Sequence, residues 1–345
     1  MDSLTQIVLG AACGEVALGK KIGNKAMLFG AIGGTIPDLD VILGNLFYSN
    51  SIDQLAFHRG FMHSIVFSIF GSVAIAYLVF KLYDSGKRKG TTTLKDWIWL
   101  FFLSIFTHPT LDSFTPYGTQ LFLPFSDYRV AFNNISVADP LYTLPFLLCV
   151  IVAMFFNRKN KKRAFWNWTG ITISSVYMLL TIGNKFYVDS VFKESFEKSG
   201  IEFSRFSAQP TILNNVLWYG IAETKDDYKV GFYSIFDKEN KIKDFISLPK
   251  NHELLNMNEG DLKTLSWFSN GYYNLMKLDS AGTYRYNDLR YPLFNAKDKN
   301  SSVFSFELEK KGDRWEADQY IDPSMQNEKK MSESFSELIE RMKGI

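Results

Sequence analysis

His58-Arg59-Gly60-Phe61-Met62-His63-Ser64-Ile65-Val66-Phe67-Ser68-Ile69-Phe70-Gly71-Ser72-Val73-Ala74-Ile75-Ala76-Tyr77-Leu78-Val79-Phe80 joins two opposite chemistries without a linker. Ser64 to Phe80 is almost wholly apolar. At about 1.5 Å per residue it is close to the shortest helix that crosses a hydrocarbon core about 30 Å thick. Directly before it stand two imidazoles and a guanidinium. The chain has four histidines, and a third, in His108-Pro109-Thr110-Leu111-Asp112, also follows an apolar run. An acidic turn, Pro37-Asp38-Leu39-Asp40, completes the pattern. Imidazole nitrogens and carboxylate oxygens are the ligand set of zinc, manganese and related divalent ions. The pattern predicts a metal site at a membrane.

Further apolar runs extend the reading outward. Leu141 to Phe156 and Phe165 to Ile182 are the next best spans, and Trp97 to Phe106 is a shorter one that runs into His108. Ile7 to Leu18 and Ala26 to Ile36 are short and rich in Gly and Ala. Small residues of this kind let helices approach closely in a membrane bundle, so a tight helical hairpin is expected with its turn at residues 19–25. The expected fold is an α-helical integral membrane domain over residues 1–184, a multi-span bundle containing this hairpin. A mainly β extracytoplasmic domain follows over residues 185–345. Expected strands are Val216 to Ile221, Tyr228 to Ile235, Thr264 to Trp267, Tyr272 to Lys277 and Val303 to Leu308, rich in β-branched and aromatic residues. A terminal amphipathic helix is expected over Met325 to Met342.

Charge placement orients the helices. Lys20, Lys21 and Lys25 lie in the hairpin turn, Lys81, Lys87, Arg88, Lys89 and Lys95 follow the span from Ser64, and Arg158, Lys159, Lys161, Lys162 and Arg163 follow the span from Leu141. The positive-inside rule puts these loops in the cytoplasm, and the histidines, acidic turn and second half outside it. Met1-Asp2-Ser3-Leu4 lacks a basic n-region and a cleavage site, which argues against a removable signal peptide. Net charge is +2, so no strong field draws nucleic acid. Cys13 and Cys149, the two cysteines, lie inside apolar runs, where neither a disulfide nor a thiolate zinc site is expected.

An ionisable group at mid-helix in a bilayer costs about 2.5–3.5 kcal/mol. Glu15, Asp38, Asp40 and Asp112 therefore either face water or are neutralised by cations. His108 and Asp112 share a helical face at their four-residue spacing, although Pro109 disfavours helical geometry in the residue before it. His58 and His63, five apart, do not share one, and Gly60 offers the break that lets them converge from a loop and a helix start. Each signal has a plainer reading. Asp112 and Asp38 can cap helices, His108 can pack in a core, and Arg59 can snorkel to an interface.

These residues resemble the LexA-regulated, inner-membrane-associated metal-dependent hydrolases over residues 1–145. The similarity rests on Met1-Asp2-Ser3-Leu4-Thr5-Gln6, Gly14-Glu15, Pro37-Asp38-Leu39-Asp40, His58-Arg59-Gly60-Phe61-Met62-His63-Ser64, His108 with Asp112, Thr115-Pro116-Tyr117-Gly118 and Asp139-Pro140-Leu141-Tyr142. That group is distantly similar to zinc-dependent phospholipase C. The resemblance implies a phosphoester hydrolase and nominates Asp38, Asp40, His58, His63, His108 and Asp112 as ligands of zinc, with manganese as the alternative. Glu15, Asp139 and Gln6 are second-rank candidates.

The expected activity is hydrolysis of a small or lipid-linked phosphoester by a metal-activated water, with membrane lipids as the surroundings. Arg59 would steady an anionic group, and Asp40 or Glu15 would take the proton. Two other classes compete. One is a non-catalytic scaffold with a structural metal and an external binding domain, and the other is a transporter whose polar groups line an ion path.

Overall fold

The computed structural model describes residues 1–279, 282–293, 299, 301–321 and 328–344. The chain divides into two compact units, Met1–Leu46 with Phe57–Ile182, and Phe47–Ala56 with Gly183–Ile345. A single cut after residue 184 therefore misses one excursion. Residues 47–56 leave the helical region and fold with the C-terminal unit.

The first unit opens on a helical hairpin, α1 (Ser3–Ile22) and α2 (Asn24–Thr35). The expected seven-residue turn shrinks to Gly23, whose φ of 63° lies in the left-handed region that glycine adopts without strain. Lys20 and Lys21 thus form the last turn of α1, where positive charge complements the helix dipole. The two helices touch backbone to backbone. A Cβ on Gly14 would lie 2.1 Å from the Ala26 carbonyl oxygen, and one on Gly30 would lie 2.2 Å from that of Gly10.

A 3-10 turn at Pro37–Leu39 leads into α3 (Asp40–Phe47), and α4 (Ser51–Phe57) follows. Next come α5 (Ile65–Tyr83), α6 (Leu94–Asp112), α7 (Pro140–Met154) and α8 (Lys161–Lys198). Ser64 caps α5 by accepting the Phe67 N–H at 3.0 Å, and Thr93 with Asp96 forms a capping box on α6. The sequence reading stops α6 short at Phe106, but the helix runs on through Pro109 to Asp112. Proline removes only one amide donor, and here it does so in the final turn.

Among the described residues, α5 is long and apolar enough to cross a membrane. Asn24–Thr35 with Pro37–Phe47, bent by 45°, would make a second such span. By this measure the expected multi-span bundle reduces to one candidate span and a broken one. α7 has 15 residues and is short for a crossing. α8 has 38 residues, and its buried Asn167, Ser174 and Thr181 break the apolar run.

The second unit holds two antiparallel four-stranded meanders. The first is β1 (Arg205–Pro210), β2 (Leu217–Glu223), β3 (Asp227–Ser234) and β4 (Ile246–Pro249), and the second is β5 (Tyr273–Lys277), β6 (Tyr284–Asp288), β7 (Ser305–Lys311) and β8 (Arg314–Tyr320). Thr264 to Trp267, expected as a strand, lies inside a helix, α9 (Gly260–Phe268). Leu262, Leu265 and Phe268 are buried at a helical spacing, and that periodicity outweighs the local β propensity. The terminal helix, α10, is Glu328–Met342, and the first residues expected in it, 325–327, lie outside the described residues.

The excursion is anchored by its own side chains. Ile52 is fully buried in the core of the second sheet. Asn50 donates to the Trp315 carbonyl at 2.8 Å, and Arg314 bridges Asp53 and Asp261. The Arg314 guanidinium beside Asp261 holds that carboxyl below the usual range.

Candidate metal centre

The first unit has two chemically distinct ends. At one, the basic turns converge: Lys21 pairs with Asp96 at 2.5 Å, Arg158 donates to the Lys21 carbonyl, and Lys25 and Arg88 lie over the Tyr83 ring. The opposite ends of the same helices bring the histidines and acids together.

His63 leads into α5, His108 and Asp112 end α6, and Asp38 sits in the turn after α2. One donor atom from each lies within 4.8 Å of the others. The His63 and His108 Nε2 atoms are 3.1 Å apart. From Asp38 Oδ1 they lie 3.5 and 3.3 Å away, and each is 3.6 Å from Asp112 Oδ2. The His63, His108 and Asp112 side chains are at most 1% exposed, whereas that of Asp38 is 32% exposed.

The other side of the His108 ring fixes its tautomer. His108 Nδ1 lies 2.6 Å from the Gly34 carbonyl oxygen, which can only accept, so the proton is on Nδ1 and Nε2 presents a lone pair. His63 Nδ1 lies 2.9 Å from Asp40 Oδ2, an ion-pair approach without hydrogen-bond geometry. The His108 lone pair faces His63 Nε2 at 3.1 Å, beside Asp112 Oδ2, a buried oxygen that Arg59 Nε approaches to 3.1 Å without hydrogen-bond geometry. A divalent ion would satisfy these atoms together. Ligands at about 2.0–2.1 Å around a tetrahedral ion sit about 3.3–3.4 Å from one another, inside the 3.1–3.6 Å of these contacts. The donor set fits such an ion.

Asp40 and His58, nominated as ligands, stand outside this group. The Asp40 carboxylate is occupied by others: Oδ1 takes His58 Nδ1 at 2.9 Å, and Oδ2 takes the Arg59 N–H at 2.9 Å together with the His63 contact. It stands behind both imidazoles, where carboxylates behind metal-bound histidines stand. Arg59 has φ 56°, a left-handed geometry that costs a non-glycine residue about 1–2 kcal/mol. The Asp40 bond on one side and the Gln120 N–H bonded to its carbonyl on the other hold it there. Its Nε then lies 3.1 Å from Asp112 Oδ2, and its Nη1 donates to Thr115 at 3.1 Å. Gly60 is required, since a Cβ there would lie 2.7 Å from the Phe57 carbonyl oxygen.

Glu15 does not reach this site. Arg163 grips both its oxygens, at 2.7 and 2.6 Å, and also donates to Asn24 at 2.6 Å near the basic end. Along α1, Glu15 lies nine residues past Gln6, about 14 Å away. The proton-accepting role expected of it has no geometric basis. Asp139 is a helix cap, accepting the Leu141 and Tyr142 amides at 3.0 and 3.3 Å. Gln6 does join, donating to Asp112 Oδ1 at 2.8 Å, where the Met1 amino group also binds.

Some contributors carry no signal in the sequence. The Gly34 carbonyl is one, because only close packing of α1, α2 and α6 brings it to His108. Arg129 is another. It donates to the Gly118 carbonyl at 3.1 Å and, like Arg59, lies over the Tyr117 ring, at 5.1 Å against 4.7 Å.

Fold and site define a protein with a helical N-terminal region, a candidate membrane span, a His/Asp group able to hold a metal, and a mostly β C-terminal part. The YdjM inner membrane protein family model matches residues 1–187, and the chain belongs to that family. The chain is also 30% identical over 187 residues to the Bacillus subtilis (strain 168) protein named "Uncharacterized protein YfhP", a match covering 52% of this chain. The chain spans about half the length of that curated relative, 51%. No solved structure matches it.

Proposed function

We propose that this chain is a membrane-bound, metal-dependent hydrolase acting on a phosphoester at the extracytoplasmic face, with zinc as the first choice of ion and manganese as the second. The observation that supports the reading is a division of labour on the open side of the site. His58 is left out of the donor group, one quarter exposed, and held through Nδ1 by Asp40. With Nδ1 donating, its Nε2 would present a lone pair, on a ring oriented by a carboxylate in the manner of an Asp–His pair. The Arg59 guanidinium beside it, buried with Nε 3.1 Å from Asp112, is of the kind that binds a phosphoryl oxygen. Asp38, His63, His108 and Asp112 would hold the ion, which would supply Lewis-acid activation of water and of a substrate oxygen. His58 would take the water's proton, Asp40 would keep its ring in register, and Arg59 would offset the negative charge of a substrate beside Asp112.

One observation favours a structural metal instead. Four protein donors are enough to close a tetrahedral site. Asp38, the one exposed donor, decides between the readings, since a substrate can approach only on its side. The test combines metal content by mass spectrometry with turnover of a chromogenic phosphodiester, on detergent-purified chain. The wild type is expected to hold metal and turn over, and His63→Ala/His108→Ala to lose both. His58→Gln should keep the metal and lose turnover. Stoichiometric metal without turnover against a panel of phosphoesters would leave the structural role.

A further inference from the structure

The segment between α6 and α7 is pinned to the site at its base and bare at its tip. Thr119 and Val130 pair as an isolated antiparallel bridge. The Gln120 N–H donates to the Arg59 carbonyl at 3.1 Å, and the Leu121 carbonyl accepts the N–H of Ile65, the first residue of α5, at 3.0 Å. Arg129, on the returning arm, lies over Tyr117. Beyond this base the segment carries Phe122, Phe125 and Tyr128, which are 47%, 86% and 62% exposed, and Phe132, just past Val130, is 54% exposed. No side chain of the described residues covers Phe125. Leaving rings of this size in water forfeits about 1.5–3 kcal/mol of burial each.

We propose that residues 119–132 form an interfacial wedge that seats these aromatic rings in the headgroup layer of the bilayer crossed by α5. This rests on reading α5 as a membrane span. The hydrogen bond from Ile65 sets the depth, because a loop bonded to the first residue of a spanning helix lies where hydrocarbon gives way to water. Aromatic side chains concentrate at that level, with their rings in the apolar margin and polar tips such as the Tyr128 hydroxyl outward. The side chains of α5 that face outward, among them Phe70, Leu78 and Leu82, continue the apolar surface below. Beside the wedge, Arg59 and Arg129 place two guanidiniums on one tyrosine. The Arg59 side chain is 7% exposed and paired with Asp112, whereas Arg129 is half-buried, so an anionic phospholipid headgroup entering along the membrane plane would meet Arg129 first. The substrate class of the proposed hydrolase is then a phosphate-bearing lipid rather than a dissolved ester.

The test is a depth measurement that requires no turnover. In a Cys13→Ala/Cys149→Ala background, nitroxide labels are placed at Phe125→Cys, Tyr128→Cys and Lys87→Cys, and the chain is reconstituted in nanodiscs of phosphatidylcholine and phosphatidylglycerol. Labels at 125 and 128 are expected to collide more with lipid-soluble oxygen than with a water-soluble nickel chelate, and the label at 87 the reverse. Chelate-dominated collisions at 125 and 128 would mean a loop standing in water, and no collisions with either would mean a loop covered by protein. Each of those results overturns the wedge. Since no substrate is present, loss of the hydrolase reading would leave this result unchanged.

Discussion

Asp40 meets three groups with two oxygens: the His58 ring and the Arg59 amide by hydrogen bonds, and the His63 ring by an ion-pair approach. Asp40→Asn keeps the size but turns an NH2 toward at least one of them. Outer-shell substitutions of this kind typically cost about 10–100-fold in metal affinity, and that loss is expected in a chelator competition. His58→Gln separates the two roles. Metal content should stay at the wild-type level, while phosphodiester turnover falls by about 10²–10⁴-fold, the usual worth of a positioned base. Equal loss of metal in His58→Gln would instead return His58 to the ligand set. Gly60→Ala tests the backbone. Its Cβ meets the Phe57 carbonyl rather than a movable side chain, so a destabilisation of about 1–3 kcal/mol is expected, read as a lower melting temperature in detergent.

At the scale of elements, the hairpin of α1 and α2 combines close backbone contact with one buried ion pair. Glu15 and Arg163 tie α1 to α8, and Asn24 brings in α2. Removing one partner of such a pair strands a charge and costs about 3–5 kcal/mol, whereas replacing both with apolar groups is often neutral. Glu15→Leu alone should therefore lower the melting temperature more than Glu15→Leu/Arg163→Met does, and a larger loss in the double variant would show that the pair stabilises outright. This pair also shows how far sequence could reach. A buried Glu15 in a short Gly/Ala-rich segment is visible as an anomaly, and Arg163 is visible as one cation in a basic run. Nothing in their order shows that they meet, because they are 148 residues apart. The His58 to His63 string, the Asp38 turn and the His108–Asp112 spacing were legible because each is local. Which of the six gather into one donor group was not, since that depends on which carboxylate is already engaged, a tertiary fact. The strand expected at Thr264 to Trp267 failed for a simpler reason: four residues are too few to tell period 2 from period 3.6.

At the scale of the whole molecule, the separation of charge decides which compartment the site faces. Every basic turn of the first unit gathers at one end, and the His/Asp group lies at the other ends of the same helices. Positive charge near span ends is retained in the cytoplasm, so the metal centre faces outward if α5 crosses in that sense. Two exposed positions read this directly. Lys87 lies in the turn after α5, and Ser3 opens α1 beside Met1, whose amino group binds Asp112. With Cys13 and Cys149 replaced by alanine, a membrane-impermeant maleimide added to intact spheroplasts is expected to label Ser3→Cys at once and Lys87→Cys only after permeabilisation. The opposite pattern would place the site in the cytoplasm. The chemistry argued for Asp38, His63, His108 and Asp112 would survive that reversal, because it depends on the distances between them. The choice of substrate pool would not survive, since the wedge at residues 119–132 would then sample the inner leaflet, and the lipids presented to Arg59 and Arg129 would be those of the cytoplasmic face.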